Sequence, residues 1–266
     1  MHLVRKGLAV IQLALRRVGL SRRANLSSYS QLARWIEGGR FVGLPTPVGG
    51  ADYTLPSLAN AQVESLRCDR PGNWLVHTGR KRRAVNIRLE IQPGAKGNIV
   101  VIGDGTRVPS RIRIYGNDNI AIFGDNITWP LEIDLRFSSS GSVFFFGREG
   151  SSNGSEIILE GDECHAILGD DCMLAADTSI RTSDLHGIGD VGTNRWLNPP
   201  AAVLIEPHVW IGHGAMIAKG VTIGHDSVIG ARALVTREIP SGSIAAGTPA
   251  KVIKSDVNWT RQRFWS

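Results

Sequence analysis

Ser183-Asp184-Leu185-His186 sets a carboxylate and an imidazole two residues apart. Asn198-Pro199 follows, then His208-Val209-Trp210-Ile211-Gly212. An imidazole can take or give a proton near neutral pH. A carboxylate close by can orient it, can hold a hydroxyl, or can be an ordinary turn aspartate. Tryptophan brings an indole N–H next to its backbone N–H, and either could face a developing oxyanion. The plainer reading of Trp210 is an aromatic packing residue at a corner. His208, His213 and His225 do not have the spacing of a three-ligand catalytic zinc site, so no metal is expected. Cys68, Cys164 and Cys172 match neither a metal motif nor a disulfide framework and read as small buried hydrophobes.

These residues need a frame, and the frame is a repeat. Ile205, Ile211, Ile217, Ile223, Ile229 and Val235 follow one another at intervals of six. The next residue in each case is Glu206, Gly212, Ala218, Gly224, Gly230 or Thr236, mostly small. Two residues before each stands Val203, Val209, Ala215, Val221, Ser227 or Ala233. A short fixed period marks a solenoid, whose repeats bury their apolar side chains only against neighbours. A period of six predicts a triangular coil, three repeats and three short strands to the turn, with one aliphatic per strand aimed at the axis. Upstream the rhythm loosens, although Ile102-Gly103, Phe123-Gly124, Phe146-Gly147 and Leu168-Gly169 look like corners. The coil is expected over 84–254. Ile205 stands one position beyond four repeats from Ile180. Glycines and prolines crowd that interval, so an inserted loop is expected at 187–202.

The chain of 266 residues is 42% apolar, enough for a core. Residues 1–83 carry 14 Lys+Arg and 4 Asp+Glu, whereas the remainder carries 16 and 20. Val4, Leu8, Ile11, Leu15 and Val18 form one face of a helix with arginines on another. That predicts an amphipathic helix over 2–20, packed on the coil or a neighbouring subunit, or lying as a peripheral contact on an anionic membrane. Its apolar stretch is too short to span a bilayer, and no cleavage site follows. The expected location is cytoplasmic, at the inner face of the membrane in the second case. Ser28 and Gln31 suit a capping box before Leu32, Trp35 and Ile36. Arg80-Lys81-Arg82-Arg83 reads as a solvated joint; no nucleic-acid module accompanies it, so no nucleic-acid partner is expected.

The repeat resembles that of the hexapeptide-repeat acyltransferases, whose fold is a left-handed parallel β-helix. The Ser-Asp-x-His run, the Asn-Pro loop and His-Val-Trp-Ile-Gly together resemble the branch that acts on saccharide hydroxyls, capsule and polysialic acid O-acetyltransferases among them. The resemblance covers residues 165–254 well, residues 84–164 as repeat character, and residues 1–83 hardly at all. It implies a mainly β fold; the residues themselves add a small helical amino-terminal region, and 255–266, with Trp259, Phe264 and Trp265, is expected as a carboxy-terminal cap over the open end of the coil. It implies acetyl-coenzyme A as co-substrate and direct attack of a sugar hydroxyl on the thioester, with His186 as base, Trp210 beside the thioester and Asp184 in support. The matching donor positions are Gly212, His213, Ala218, Gly230 and Ala231 for the pantetheine arm. Thr236, Arg237, Lys251 and Lys254 follow, the three cations as phosphate partners. Arg195, Trp196 and Asn198 in the loop are the acceptor candidates.

Trimers recur in the family, so a homotrimer with each site between two subunits is expected, helped by outer-face apolar residues such as Phe144 and Phe146. An N-acetyltransferase acting on an amino sugar is the alternative chemistry. A non-catalytic scaffold is the alternative class. A metal enzyme like the gamma-class carbonic anhydrases is a further rival, since His213 to Gly224 resembles their metal-binding strand. Their second histidine would fall at Ala218, which weakens that rival.

Overall fold

The computed structural model describes residues 62–65, 73–77, 87–106, 110–127 and 131–262. The amphipathic helix expected over 2–20, the capping box at Ser28, the basic run at 80–83 and Cys68 lie outside these residues. Among the described residues there are twenty strands and no helix.

Nearly all strand pairs are parallel, which makes the chain a β-solenoid. Three faces run along it. The first is built from Trp74–His77, Ile99–Ile102, Ile120–Phe123, Val143–Phe146, His165–Leu168, Val203–Ile205 and Thr222–Ile223. The second takes the start of Ser151–Leu159, then Met173–Leu174, Trp210–Ile211, Val228–Ile229 and Ile244–Gly247. The third holds Ile87–Ile91, Ser110–Ile114, Leu131–Phe137, the rest of Ser151–Leu159, Thr178–Arg181, Met216–Ile217 and Leu234–Val235. The chain passes from first face to second to third, so three edges separate them in that order. The parallel ladder begins at Trp74–His77, ahead of residue 84.

The register measures each coil. Leu204 pairs with Thr222, Trp210 with Val228 and Met216 with Leu234, each three repeats of six further on, as the sequence predicts. Earlier coils are longer: Ile99 pairs with Ile120, and Ile120 with Val143. Between the two kinds, Ala166 pairs with Val203 and Ser179 with Met216, more than two regular coils further on. One coil accounts for three repeats of that separation, and a single insertion accounts for the rest. The interval from Ile180 to Ile205 is therefore one step of six plus a long loop. It is not four repeats and a slip. The loop departs at the third edge directly after Thr182, which still bonds the previous coil, earlier than residue 187.

Period-two alternation within each short strand decides what is inside. Ile205, Ile211, Ile217, Ile223, Ile229 and Val235 are fully buried, as are Val203, Val209 and Ala215. Each aliphatic taken from water contributes about 1.5–3 kcal/mol. Phe123, Phe144 and Phe146 also point at the axis, with Phe123 and Phe144 edge to face at 5.5 Å. This corrects the expectation that Phe144 and Phe146 lie on an outer face. Phe145 alternates with them and joins Ile122, Ile167 and Leu204 in a separate apolar cluster on the outward side of the first face. That row is itself buried. The outward side of the third face is polar in the earlier coils, with ion pairs Arg111–Glu90, Arg113–Asp134 and Arg181–Glu156, and carries Met216 and Leu234 in the later ones. Cys164 and Cys172 are buried, in keeping with their reading as small hydrophobes. Burial pushes the Cys172 thiol up to about 12.

Two columns close the early coils. Gly103, Gly124, Gly147 and Gly169 stack along the first edge, where the chain bends. A Cβ on any of them would meet the next coil within 2.3–2.5 Å, mostly at backbone atoms. Before the first-face strands, Asn73, Asn98 and Asn119 form a buried ladder. Asn98 N–H donates to the Asn73 side chain at 3.1 Å and Asn119 N–H to that of Asn98 at 2.9 Å.

Replacing Gly147 by Ala should destabilise the coil by about 1–3 kcal/mol, because packed backbone cannot yield to an added methyl. Gly189→Ala is the control: a Cβ there meets nothing within 4 Å. A thermal melt in which Gly147→Ala behaves like Gly189→Ala would contradict this account of the edge.

Candidate active site

The loop after Thr182 is knotted at its base. The Asn198 amide group donates to Asp184 Oδ2 at 2.8 Å and to the His186 carbonyl at 2.9 Å. Its side-chain oxygen accepts the Ile188 N–H at 2.6 Å. Lys219, on the coil, donates to the Asp184 carboxylate and to the Asn198 carbonyl, the latter at 2.9 Å. Leu197 N–H returns to the Ile188 carbonyl at 2.7 Å, so 186–198 forms a small hairpin. Asp190 closes the hairpin's tip through Thr193. His186 stands exposed on this hairpin. The Asp184 carboxylate faces Lys219 and Asn198; their hydrogen bonds hold its carboxyl below the ordinary carboxylate range, Lys219 contributing most.

The acceptor candidates divide. Asn198 is spent on internal bonds of the loop. Arg195 is exposed. Trp196 packs over Gly187, where a Cβ would come within 2.2 Å of its ring, yet remains 71% exposed. An indole supported on one side and open on the other can stack on an apolar ring face.

Trp210 projects outward from the second face, since Ile211 beside it is buried. Outward residues there follow the register from Trp210 to Val228, Ile244 and Lys254. A register shift opposite Ile244 and Ala245 puts Lys251, paired with Ala246, on the same side as Lys254. At a strand spacing of about 4.8 Å, three steps separate Trp210 from Lys254 by roughly 14 Å. An aromatic thus stands at one end of a track and two exposed cations at the other.

Along the second edge lie Gly212, His213, Gly230 and Ala231. The N–H groups of Gly212 and Gly230 are committed to Ile229 and Ala245 of the following coil, at 2.8 Å each. That of Ala218, on the third edge, is committed to Val235 at 2.9 Å. Among the described residues, the N–H groups of His213 and Ala231 bond no backbone carbonyl. Thr236 and Arg237 follow Val235 at the third edge, exposed.

The candidates therefore do not converge within one chain. Lys219 fixes Asp184, and with it His186, to the third edge. A triangular prism has one face that does not touch a given edge, and for the third edge it is the second face, where Trp210 points away. The histidines do not converge either. His213 sits on the second edge, 3.7 Å from Asp177. His208 and His225 sit on the first edge and share Asp226, at 2.6 and 2.7 Å. No metal-binding group of three side chains occurs among the described residues.

The sequence reading missed the carboxy-terminal strap. Instead of covering the open end of the coil, it runs down the first edge. Trp259 stacks on His208 with centroids 4.3 Å apart, and its indole N–H donates to the His208 carbonyl at 2.7 Å. Arg261 reaches Asp171 at 2.7 Å and Ser151 Oγ at 2.9 Å. Trp259 lies 6.1 Å from Trp210, so the strap buttresses the track. Burial raises the Asp226 carboxyl, but hydrogen bonds from His225 and His208 outweigh it and hold the group below its ordinary value.

Residues 202–237 match the family described as bacterial transferase hexapeptide (six repeats). The chain is 34% identical over 125 residues to a polysialic acid O-acetyltransferase of Escherichia coli O1:K1 / APEC, covering 47% of this chain and 40% of that one. It is 46% identical over 72 residues to a 2,3,4,5-tetrahydropyridine-2,6-dicarboxylate N-acetyltransferase of Staphylococcus aureus, covering 26% of this chain and 30% of that one. The chain thus spans less than half the length of these two relatives. The crystal structure of the polySia-specific acetyltransferase NeuO superposes with a TM-score of 0.58 at 28% identity, over 73% of this chain and 92% of that chain. The solenoid matches the left-handed β-helix acetyltransferase fold.

A depressed carboxyl stabilises above its unfolded pKa and loses that contribution as pH falls through its folded value. The Asp226 contribution should therefore be present at neutral pH and vanish on the acid side. Asp226→Asn should loosen the strap already at neutral pH, seen as a red shift in emission that is absent when Trp259 is replaced by Phe. Identical spectra for Asp226→Asn and the parent would refute the coupling.

Proposed function

We propose that the chain is a hexapeptide-repeat transferase, an acetyl-coenzyme A-dependent O-acetyltransferase acting on a saccharide hydroxyl. The observation that carries the reading is the placement of His186. It is exposed on a knotted loop that leaves an otherwise tight coil at one edge. The sugar-modifying relative supports the class of acceptor. The open indole of Trp196 and the Arg195 cation suit an acidic sugar.

A thioester is an activated acyl donor, so no covalent enzyme intermediate is needed. The His186 imidazole takes the hydroxyl proton as the sugar oxygen bonds to the thioester carbonyl carbon. A donor at Trp210, indole or backbone, meets the oxyanion. Collapse of the tetrahedral species breaks the carbon–sulfur bond. The departing thiolate takes the proton from the imidazolium, leaving coenzyme A, the acetylated sugar and a neutral histidine. The arm follows the track from Trp210, with His213 and Ala231 as amide donors and Lys251 and Lys254 as phosphate partners.

Because His186 and Trp210 lie on opposite sides of one coil, the mechanism requires two copies. The third edge of one copy, with Ala218, Thr236 and Arg237, meets the second face of the next. Three such contacts close a cyclic trimer. Residues 2–20 are proposed to act in location or assembly and to be dispensable for thioester chemistry.

With acetyl-coenzyme A and a panel of acidic and neutral saccharides, released thiol and product mass should identify an O-acetylated sugar. His186→Ala should lower the rate by about 10²–10⁴-fold with the donor still bound. Turnover near that of the parent would sink the mechanism. An N-acetylated amino sugar as product would favour the alternative chemistry.

The shared site has its own test. His186→Ala and Trp210→Ala chains, each slower than the parent alone, should when mixed equally and allowed to exchange subunits exceed the mean of the two, since roughly a quarter of the sites then hold both wild-type residues. In such a mixture a site with both wild-type residues forms only between unlike copies. No gain over that mean after verified exchange would place both residues in one subunit.

A further inference from the structure

Lys219 has no role assigned in the reaction above, yet it ties both strands of the loop near its base, above the Ala201 N–H to Thr182 carbonyl bond that closes it. It lies in the turn between Met216–Ile217 and Thr222–Ile223, on the regular part of the coil. Its side chain is 19% exposed. The ammonium donates to two acceptors on opposite strands of the loop, the Asp184 carboxylate entering and the Asn198 carbonyl leaving. Asn198 then bridges the strands, bonding Asp184, the His186 carbonyl and Ile188 N–H. Between Asp184 and His186 the backbone is strained: Leu185 has φ of 67°, in the left-handed region that a bulky side chain disfavours. Its N–H is held by Ser183 Oγ at 2.9 Å. Strain of this kind persists only where surrounding contacts over-determine the conformation; here Ser183 holds the Leu185 N–H, Lys219 holds Asp184 before it and Asn198 holds the His186 carbonyl after it.

We propose that Lys219 is a positioning residue, which through Asp184 and Asn198 locks the loop so that the His186 imidazole is held out from the third edge toward a neighbouring copy. This rests on the reading of His186 as the base. The lock supplies geometry, because a general base must lie within hydrogen-bond reach of the proton it takes. Lys219 touches neither donor nor acceptor. Its loss should therefore lower kcat and leave the KM for acetyl-coenzyme A nearly unchanged.

The test uses the full assembled protein and two variants, Lys219→Met, which keeps a long stem, and Lys219→Arg, which keeps the charge. Hydrogen exchange at the Ile188 and Leu197 amides, both bonded inside the hairpin, reads the lock without any turnover. In Lys219→Met both should exchange faster, and kcat should fall roughly 10- to 100-fold with the donor KM within about twofold. Lys219→Arg should restore protection and part of the rate. Should Lys219→Met fail to assemble, Asp184→Asn on the exposed loop breaks the same ion pair with the same expected result. Unchanged exchange at Ile188 and Leu197 would overturn the proposal, and so would faster exchange with kcat intact. If the parent turns over no acceptor, the reading of function fails, and the exchange arm still decides whether the lock exists.

Discussion

Backbone hydrogen bonding between successive coils is the constraint on which the molecule depends. A solenoid has no second layer to satisfy its polar backbone, so the N–H groups along its strands bond carbonyls one coil away. That requires the coils to be in contact at the edges as well as along the faces. On the first edge the contact is made by a stack of glycines, because any Cβ would occupy the place of the neighbouring backbone. Gly169 is followed in that column by Glu206, whose buried carboxylate accepts the His225 N–H at 2.9 Å. The edge is thus continued by a side chain that bonds the next coil, at the point where the coils shorten to three regular repeats.

Function follows from what this constraint leaves free. The interior is filled by the inward residues of each short strand, so chemistry can be carried only by outward side chains, edge amides that bond no backbone carbonyl, and insertions. All three are used. Trp210, Lys251 and Lys254 share an outward side; His213 and Ala231 keep such amides; His186 rides on the insertion. A rigid scaffold that presents variable loops suits such a division. The cost is that a thin prism separates its own surfaces. Groups on an edge and on the facing side meet only when a second prism is laid against the first.

The carboxylates that bond histidines and lysines here all sit at edges. Asp226 serves two imidazoles, Asp171 an arginine from the strap, and Asp184 the lysine of the loop lock. Several of the surrounding turn residues have positive φ, among them His208 and Asp226. Tight corners aim short polar side chains along the edge at the coils above and below. Polar order therefore accumulates at the corners, while the faces supply hydrophobic order.

The six-residue period by itself determined the architecture after Val203, the axial row and the three-repeat coil, because one chemical requirement recurs at each strand. The pairs Ile102-Gly103 to Leu168-Gly169 marked the first edge for the same reason. The Ser-Asp-x-His run and Trp210 stood out as candidates for chemistry because their residue types are unusual in a structural repeat. Which side of a strand Phe144, Phe145 and Phe146 occupy was not legible, since a run of identical residues carries no alternation. The loop length was hidden too: the interval from Ile180 to Ile205 lies close to a multiple of six, and only the strand register separates one step and an insertion from four repeats. The Lys219 lock, the asparagine ladder and the strap over His208 join residues between 21 and 51 positions apart in ordinary-looking sequence. Tertiary structure alone decided them, because a coil brings together residues one turn apart, and the turn length is a property of the wound chain.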